Sequence, residues 1–180
     1  ADGQFAKIES ELRKKLERVR NVSHLDRKSL VLDSTAAQEI QSLAEEDIQW
    51  KAAKAWEERM RKFHSARDLD PKLPAGLNAD LRDYQVEGYK WLRRLSEWGV
   101  GGILADDMGL GKTLQTLAVL LDRAEEGPTL VIAPTSVGFN WLRETQKFAP
   151  SLRPLLYRES DRKELLSDLK NGDIVISSYA

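Results

Sequence analysis

Gly101 to Thr116 reads GGILADDMGLGKTLQT. A short apolar run, Ile103-Leu104-Ala105, precedes a glycine-bearing turn that closes on Gly111-Lys112-Thr113, and helix-compatible residues follow at once. Strand, glycine loop and helix in that order are what a phosphate cradle requires. Backbone N–H groups converge on an anion only where no Cβ blocks their approach, and Gly109 and Gly111 leave those gaps. Lys112 is placed to reach the β- and γ-phosphates as a point charge, and the Thr113 hydroxyl to ligate a bridging Mg²⁺. One residue departs from the general pattern, which opens with a glycine four intervening residues before the Gly-Lys-Thr. Here that position is Asp106.

The 180 residues suffice for one ordinary domain and an appendage, and the apolar fraction of 41% is that of a globular chain. Lys and Arg number 28 against 29 for Asp and Glu, so net charge is silent about nucleic-acid binding and only local patches could speak for it. The absence of cysteine excludes a disulfide framework, thiolate metal sites and cysteine nucleophiles, and agrees with an intracellular setting. No apolar run approaches the roughly 20 residues of a membrane span, and the charged N-terminal stretch lacks a signal-peptide core, so no membrane partner is expected.

Ahead of the loop, residues 1–70 read as a helical segment. Phe5, Ile8, Leu12, Leu16 and Val19 share one face of a helix running to about Arg20. Ser29 to Asp33 is short enough for a strand or a linker. Ile40, Ala44, Ile48, Ala52, Trp56 and Met60 then form a four-residue ridge beside Leu43 and Phe63, predicting a second helix of about 28 residues capped by Ser34 or Thr35. Arg59, Arg61, Lys62, His64 and Arg67 near its end suit either the helix dipole or a DNA-clamping arm. His24 and His64 have no companions at metal-ligand spacing and read as surface histidines.

Two prolines and a glycine, Pro71, Pro74 and Gly76, place a linker over residues 71–80. Leu81 to Leu95, LRDYQVEGYKWLRRL, follows as an amphipathic helix whose Tyr84, Gly88, Trp91, Leu92 and Leu95 share a face. Gln85 early in this helix is either solvated or a reader of adenine, since an amide offers one donor and one acceptor group to the N6 and N7 edge.

Beyond the loop, Leu114 to Arg123 continues as a helix that Gly127-Pro128 closes. Thr129 to Ala133 is expected as a strand buried on both faces, far enough from the first to allow a helical crossover. Pro134-Thr135-Ser136 leaves that strand at its carboxyl end, where open α/β sheets bind ligands. Phe139 to Phe148 predicts a helix, with Trp141 packed rather than stacked on a base. Arg153 to Tyr157, Asp161 to Leu169 and Asp173 to Ser177 predict a strand, a helix and a strand. Repeated β-then-α units behind a P-loop predict an α/β fold with a parallel sheet, an incomplete RecA-like domain over residues 81–180 preceded by the helical segment.

LRDYQVEGYKWL, GGILADDMGLGKTLQTLAVL and TLVIAPTSVGFNWLRE, in that order and separation, resemble the opening motifs of the Swi/Snf family of helicase-related, DNA-stimulated ATPases. That family carries an acidic residue where Asp106 stands. The resemblance covers about Leu77 to Ala180 and implies ATP and Mg²⁺ as ligands, with Gln85 as an adenine contact. It implies Asp107, Met108, Gly109, Leu110, Gly111, Lys112, Thr113 and Leu114 as the nucleotide-binding run, with Lys112 and Thr113 catalytic and Thr113 on the metal. It further implies DNA contacts at Thr135 and Ser136 and at a second segment with Ser177 and Tyr179. The implied parent is an ATP hydrolase that translocates on double-stranded DNA and displaces or remodels DNA-bound proteins. Its setting would be nucleoid-associated cytoplasm in a prokaryote or the nucleus in a eukaryote.

No paired Asp-Glu closes an apolar strand before Ala180, so the chain is expected to be the front part of a first motor lobe that binds nucleotide at most. Two other classes fit the residues: another helicase-superfamily enzyme such as an RNA unwinder, and a non-enzymatic P-loop docking module.

Overall fold

A computed structural model describes residues 10–26, 29–32, 36, 39, 42, 54–159 and 161–179. They fall into two units, one running to Asp68 and taking in Glu97–Val100, the other comprising Leu69–Ser96 and Gly101 onward.

In the first unit, helix α1 (Ser10–Asn21) leads into an antiparallel hairpin of β1 (Ser23–Asp26) and β2 (Ser29–Leu32), with Ser23 opposite Leu32. The sequence left Ser29 to Asp33 open, and pairing with β1 makes it a strand. Helix α2 (Lys54–Asp68) covers the end of the expected second helix and runs past Phe63; the ridge from Ile40 to Ala52, like Phe5 and Ile8, lies outside the described residues. Val19, Val22, Leu32 and Trp56 pack around the buried Ala36. Arg18 holds Glu39 in an ion pair and donates to Ser42 Oγ at 2.6 Å. His24 is exposed, whereas His64 is half-buried with its ring 5.7 Å from that of Phe63.

The second unit carries the chemistry. Its helices are α3 (Asp83–Trp98, of which residues to Ser96 belong here), α4 (Lys112–Asp122), α5 (Thr135–Phe148) and the short α6 (Arg162–Ser167). Its strands are β3 (Thr129–Ile132), β4 (Arg153–Leu156) and β5 (Asp173–Ser177), all parallel in the order β3-β5-β4. Thr129 pairs with Ile174 on one side of β5, and Arg153 with Asp173 on the other. The central β5 is buried from Asp173 through Ile176, as parallel strands covered on both faces are. Leu117, Ala149, Leu152, Ile174 and Ile176 form the core, with Val131, Trp141, Leu142, Phe148 and Leu156 packed against it. Trp141 is thus a packing residue. At the start of β5 the buried Asp173 accepts two bonds from Arg153, 2.8 and 2.6 Å, and a third from Lys170 N at 2.8 Å.

Several expectations need correction. Residues 101–107 form no strand: they pair with none of the described strands, although β3 has an open edge, and Ile103 is 86% exposed. β3 is not buried on both faces: it lies at the sheet edge, and Leu130 and Ile132 are about 60% exposed. Helix α5 begins at Thr135 rather than Phe139, with Pro134 as its N-cap. The first turn packs on β5: a Cβ at Gly138 would sit in ordinary contact with Ile176, at 3.6 Å. Helix α6 is shorter than Asp161 to Leu169: the Asp161 side chain caps its start by accepting from Lys163 N and Glu164 N, and the helix ends at Ser167 with Asp168 as its C-cap. The buried side of α3 is also rotated from the expected face. Tyr89 is fully buried against Ala118, Val119 and Leu92, while Trp91 remains 39% exposed.

The stretch expected as a linker is fastened along α3. Tyr89 Oη donates to Lys72 O at 2.8 Å, Arg94 Nε donates to Leu69 O at 2.9 Å, and Lys90 pairs with Asp70 at 2.7 Å.

Candidate functional site

The glycine loop is built by two left-handed residues. Gly109 has φ 85°, and Gly111, the N-cap of α4, has φ 75° and ψ 35°. A side chain is disfavoured at both, so the sequence bends there without strain only as glycine. Gly111 also presents no capping side chain, and the first-turn N–H groups of α4 face the loop without a side-chain acceptor. Such a helix start, eleven residues of aligned dipoles behind it, attracts an anion.

Lys112 is folded over the loop, its Nζ donating to Asp106 O at 2.7 Å and Asp107 O at 2.8 Å. Two backbone carbonyl oxygens thereby occupy two of its three donor hydrogens. Thr113 and Leu114 follow in the first turn of α4, both half-buried. Met108 stands 96% exposed at the loop's tip, and Asp107 and Gly109 are exposed beside it. Asp106 contributes its backbone oxygen to Lys112, a role its residue type does not reveal.

Gln85 is 7% exposed and lies against the loop. Its Nε2 donates to Leu110 O at 3.1 Å, and its Oε1 accepts from Arg82 N at 3.0 Å, so it closes the first turn of α3 from the third helical position. Of the two readings of Gln85, solvated is excluded. An amide nitrogen has two hydrogens and an amide oxygen two lone pairs, so one of each remains beyond these bonds. Tyr84, which the sequence placed only on the shared face of this helix, donates from Oη to the same Leu110 O at 3.3 Å and is 40% exposed. Its adjacency to Gln85 was the available signal.

At the carboxyl edge of the sheet, a cavity of about 60 Å³ lies between the start of α5 and the ends of β4 and β5. Thr135 and Ser177 are brought together in its wall, with Arg158 and Ser178. Ser136 and Tyr179 are exposed nearby in the chain but do not line it. Arg158 was missed because it follows β4 in a single helical turn, where no motif marks it.

A parallel sheet, a glycine loop opening onto α4 and a lysine poised over that loop define a RecA-like P-loop lobe. A family model described as the SNF2-related domain matches residues 84–180, and the chain belongs to that family. The chromatin-remodeling ATPase INO80 of Sclerotinia sclerotiorum is 47% identical over 104 residues, covering 54% of this chain and 6% of that protein. YwqA of Bacillus subtilis is 41% identical over 140 residues, 73% of this chain and 15% of that protein. Among solved structures, the Sulfolobus solfataricus SWI2/SNF2 ATPase core in complex with dsDNA superposes with a TM-score of 0.55 at 45% identity, over 62% of this chain and 24% of that one. The chain therefore spans a small share of the length of these relatives.

Proposed function

We propose that these residues are the ATP-binding part of a DNA-dependent ATPase that translocates on double-stranded DNA and thereby remodels or displaces bound proteins. The observation that carries the reading is Lys112 bonded to the carbonyls of Asp106 and Asp107, at the mouth of an uncapped helix start, with Gln85 bonded to the same loop. A cation that borrows two carbonyls is ready to exchange them for the β- and γ-phosphates of ATP. Asp107, Met108, Gly109, Leu110 and Gly111 wrap those phosphates through their backbone, and the N–H groups of Lys112, Thr113 and Leu114 complete the cradle. Thr113 is the chain's ligand for Mg²⁺, which when bound neutralises charge developing between the phosphates. Gln85 takes the adenine edge with its remaining hydrogen and lone pair.

Thr135, Ser136, Ser177 and Tyr179 are proposed as contacts to the sugar-phosphate backbone. The convergence of Thr135 and Ser177 on one cavity with the Arg158 guanidinium supports this, because phosphate contacts of this kind position a protein on a duplex without reading sequence. We further assign residues 1–70 to an N-terminal segment, in which helices α1 and α2 accompany the β1-β2 hairpin, 71–80 to a linker and 81–180 to the motor lobe; the division of contacts after Asp68 supports that boundary. A DNA motor of this kind works in the nucleus of a eukaryote or the nucleoid-associated cytoplasm of a prokaryote. No helix among the described residues is long and apolar enough to cross a membrane.

Triplex displacement tests the reading. The full-length ATPase with ATP should strip a third strand from duplex DNA without separating the duplex itself, and Lys112→Ala should abolish stripping. Separation of an RNA duplex with no triplex displacement would replace the reading with an RNA unwinder.

A further inference from the structure

Helices α3 and α4 exchange glutamines. Gln85 of α3 occupies the space that Gly111 leaves open at the start of α4, where an added Cβ would collide with Gln85 Nε2. One turn further along each helix the arrangement is reversed: Gln115 of α4 occupies the space that Gly88 leaves open on α3, where an added Cβ would collide with Gln115 Oε1. The two contacts form a reciprocal clasp.

Gln115 is fully buried, and neither its Nε2 nor its Oε1 has a hydrogen-bond partner among the described residues. Polar pairing therefore does not explain its seat. Its shape does: a side chain of this length fills the gap over Gly88 and sets how closely the two helices approach at that level. Below it the helices meet through Tyr89, Leu92, Ala118 and Val119, whose small members allow a nearer approach. Gln85 lies one turn away on the same rigid helix, so a change in spacing at Gly88 is felt as a displacement of Gln85 from Leu110 O.

We propose that Gln115 is a positioning residue for base recognition: seated over Gly88, it fixes the separation of α3 and α4 at which Gln85 lies against the P-loop, and through Gln85 it sets the preference for adenine over guanine. The proposal rests on the reading of Gln85 as the adenine contact.

The test is competition of ATP and of GTP against a fluorescent N-methylanthraniloyl ATP on the full-length ATPase, read as the dissociation constant of GTP divided by that of ATP. Gln85→Ala should lower that ratio by about 5- to 100-fold, the discrimination one well-placed amide contributes to a base edge. Gln115→Ala and Gly88→Ala should each lower it in the same direction. Combined as Gly88→Ala/Gln115→Ala, the new methyl enters the volume the glutamine vacates, and the ratio should recover above that of either single variant. Gln115→Met keeps length and removes the unpaired amide, so it should hold the ratio with a melting temperature equal or higher.

If Gln85→Ala leaves the ratio unchanged, the adenine reading itself falls. If Gln85→Ala lowers it while Gln115→Ala and Gly88→Ala, each folded by its melting curve, do not, only the positioning role of Gln115 is overturned. Where a single variant does not fold, Gln115→Met decides: a folded Met variant that loses the ratio overturns the spacer role, and one that keeps it supports it.

Discussion

Gly111→Ala probes the junction of the glycine loop and helix α3 most sharply. The residue sits at φ 75°, ψ 35°, where a Cβ costs about 1–2 kcal/mol. The same Cβ would run into Gln85 Nε2. Relief requires Gln85 to swing away from Leu110 O and Arg82 N, which loses two neutral hydrogen bonds at about 0.5–1.5 kcal/mol each. The sum is about 2–5 kcal/mol. Gly109→Ala is the control, since its φ of 85° carries the same conformational cost but nothing lies within 4 Å of the added atom. It should lose only about 1–2 kcal/mol.

Gln85→Ala removes the obstacle along with its bonds, so in that background Gly111→Ala should also cost only about 1–2 kcal/mol. The two substitutions are therefore sub-additive by about 1–3 kcal/mol. Urea denaturation followed by circular dichroism measures all four variants. If Gly111→Ala costs no more than Gly109→Ala, or the pair adds within about 0.5 kcal/mol, the packing of Gln85 on Gly111 is refuted.

Two further outcomes rest on single ionisable groups. Asp173 is held below its ordinary value of 3.8 chiefly by the hydrogen bonds of Arg153, so it stabilises the fold above that value and the contribution is lost as pH falls beneath it. Asp173→Asn should cost about 1–3 kcal/mol at neutral pH, toward the lower end because Arg153 is half exposed, and should flatten the decline of stability below about pH 4 in acid denaturation. Tyr89 is pushed up to about 12, first by burial and then by the Asp122 carboxylate. A raised phenol stabilises the fold fully below about pH 10 and loses that contribution as pH rises toward 12. Ultraviolet titration should therefore show one of the four tyrosines ionising last, and Tyr89→Phe should remove that step.

The sequence made the loop legible because its chemistry is local. Glycines at 109 and 111, with lysine and threonine after them, need no distant partner to specify a bend and a helix start. Asp106 was legible only as a family mark, since its contribution is a backbone oxygen that any residue owns. Sheet order was not legible. Both β3 and β4 pair with β5, the last of the described strands, and such pairing is decided by crossovers between distant segments rather than by residue pattern.

The same non-locality explains Ile103 to Ala105, whose apolar run reads as a strand but has no ladder partner among the described residues. Helix α5 shows tertiary contact overriding propensity. Thr135, Ser136 and Gly138 are poor helix formers and read as a loop, yet the first turn forms where it packs onto Ile176. Gln85 was visible as a chemical option. Its bond to Leu110 O, 25 residues away, required the fold.

The Lys112 loop is proposed to drive a motor on duplex DNA. Its most direct test is steady-state ATP hydrolysis by the full-length protein, with and without double-stranded DNA, at 50 and at 200 mM salt. If the protein makes roughly 6 to 10 phosphate contacts, affinity should fall about 10³- to 10⁵-fold between those salt concentrations. Hydrolysis should rise on adding duplex at the lower salt, lose that stimulation at the higher, and vanish with Lys112→Ala. Hydrolysis indifferent to DNA at 50 mM, or surviving Lys112→Ala, would contradict the account.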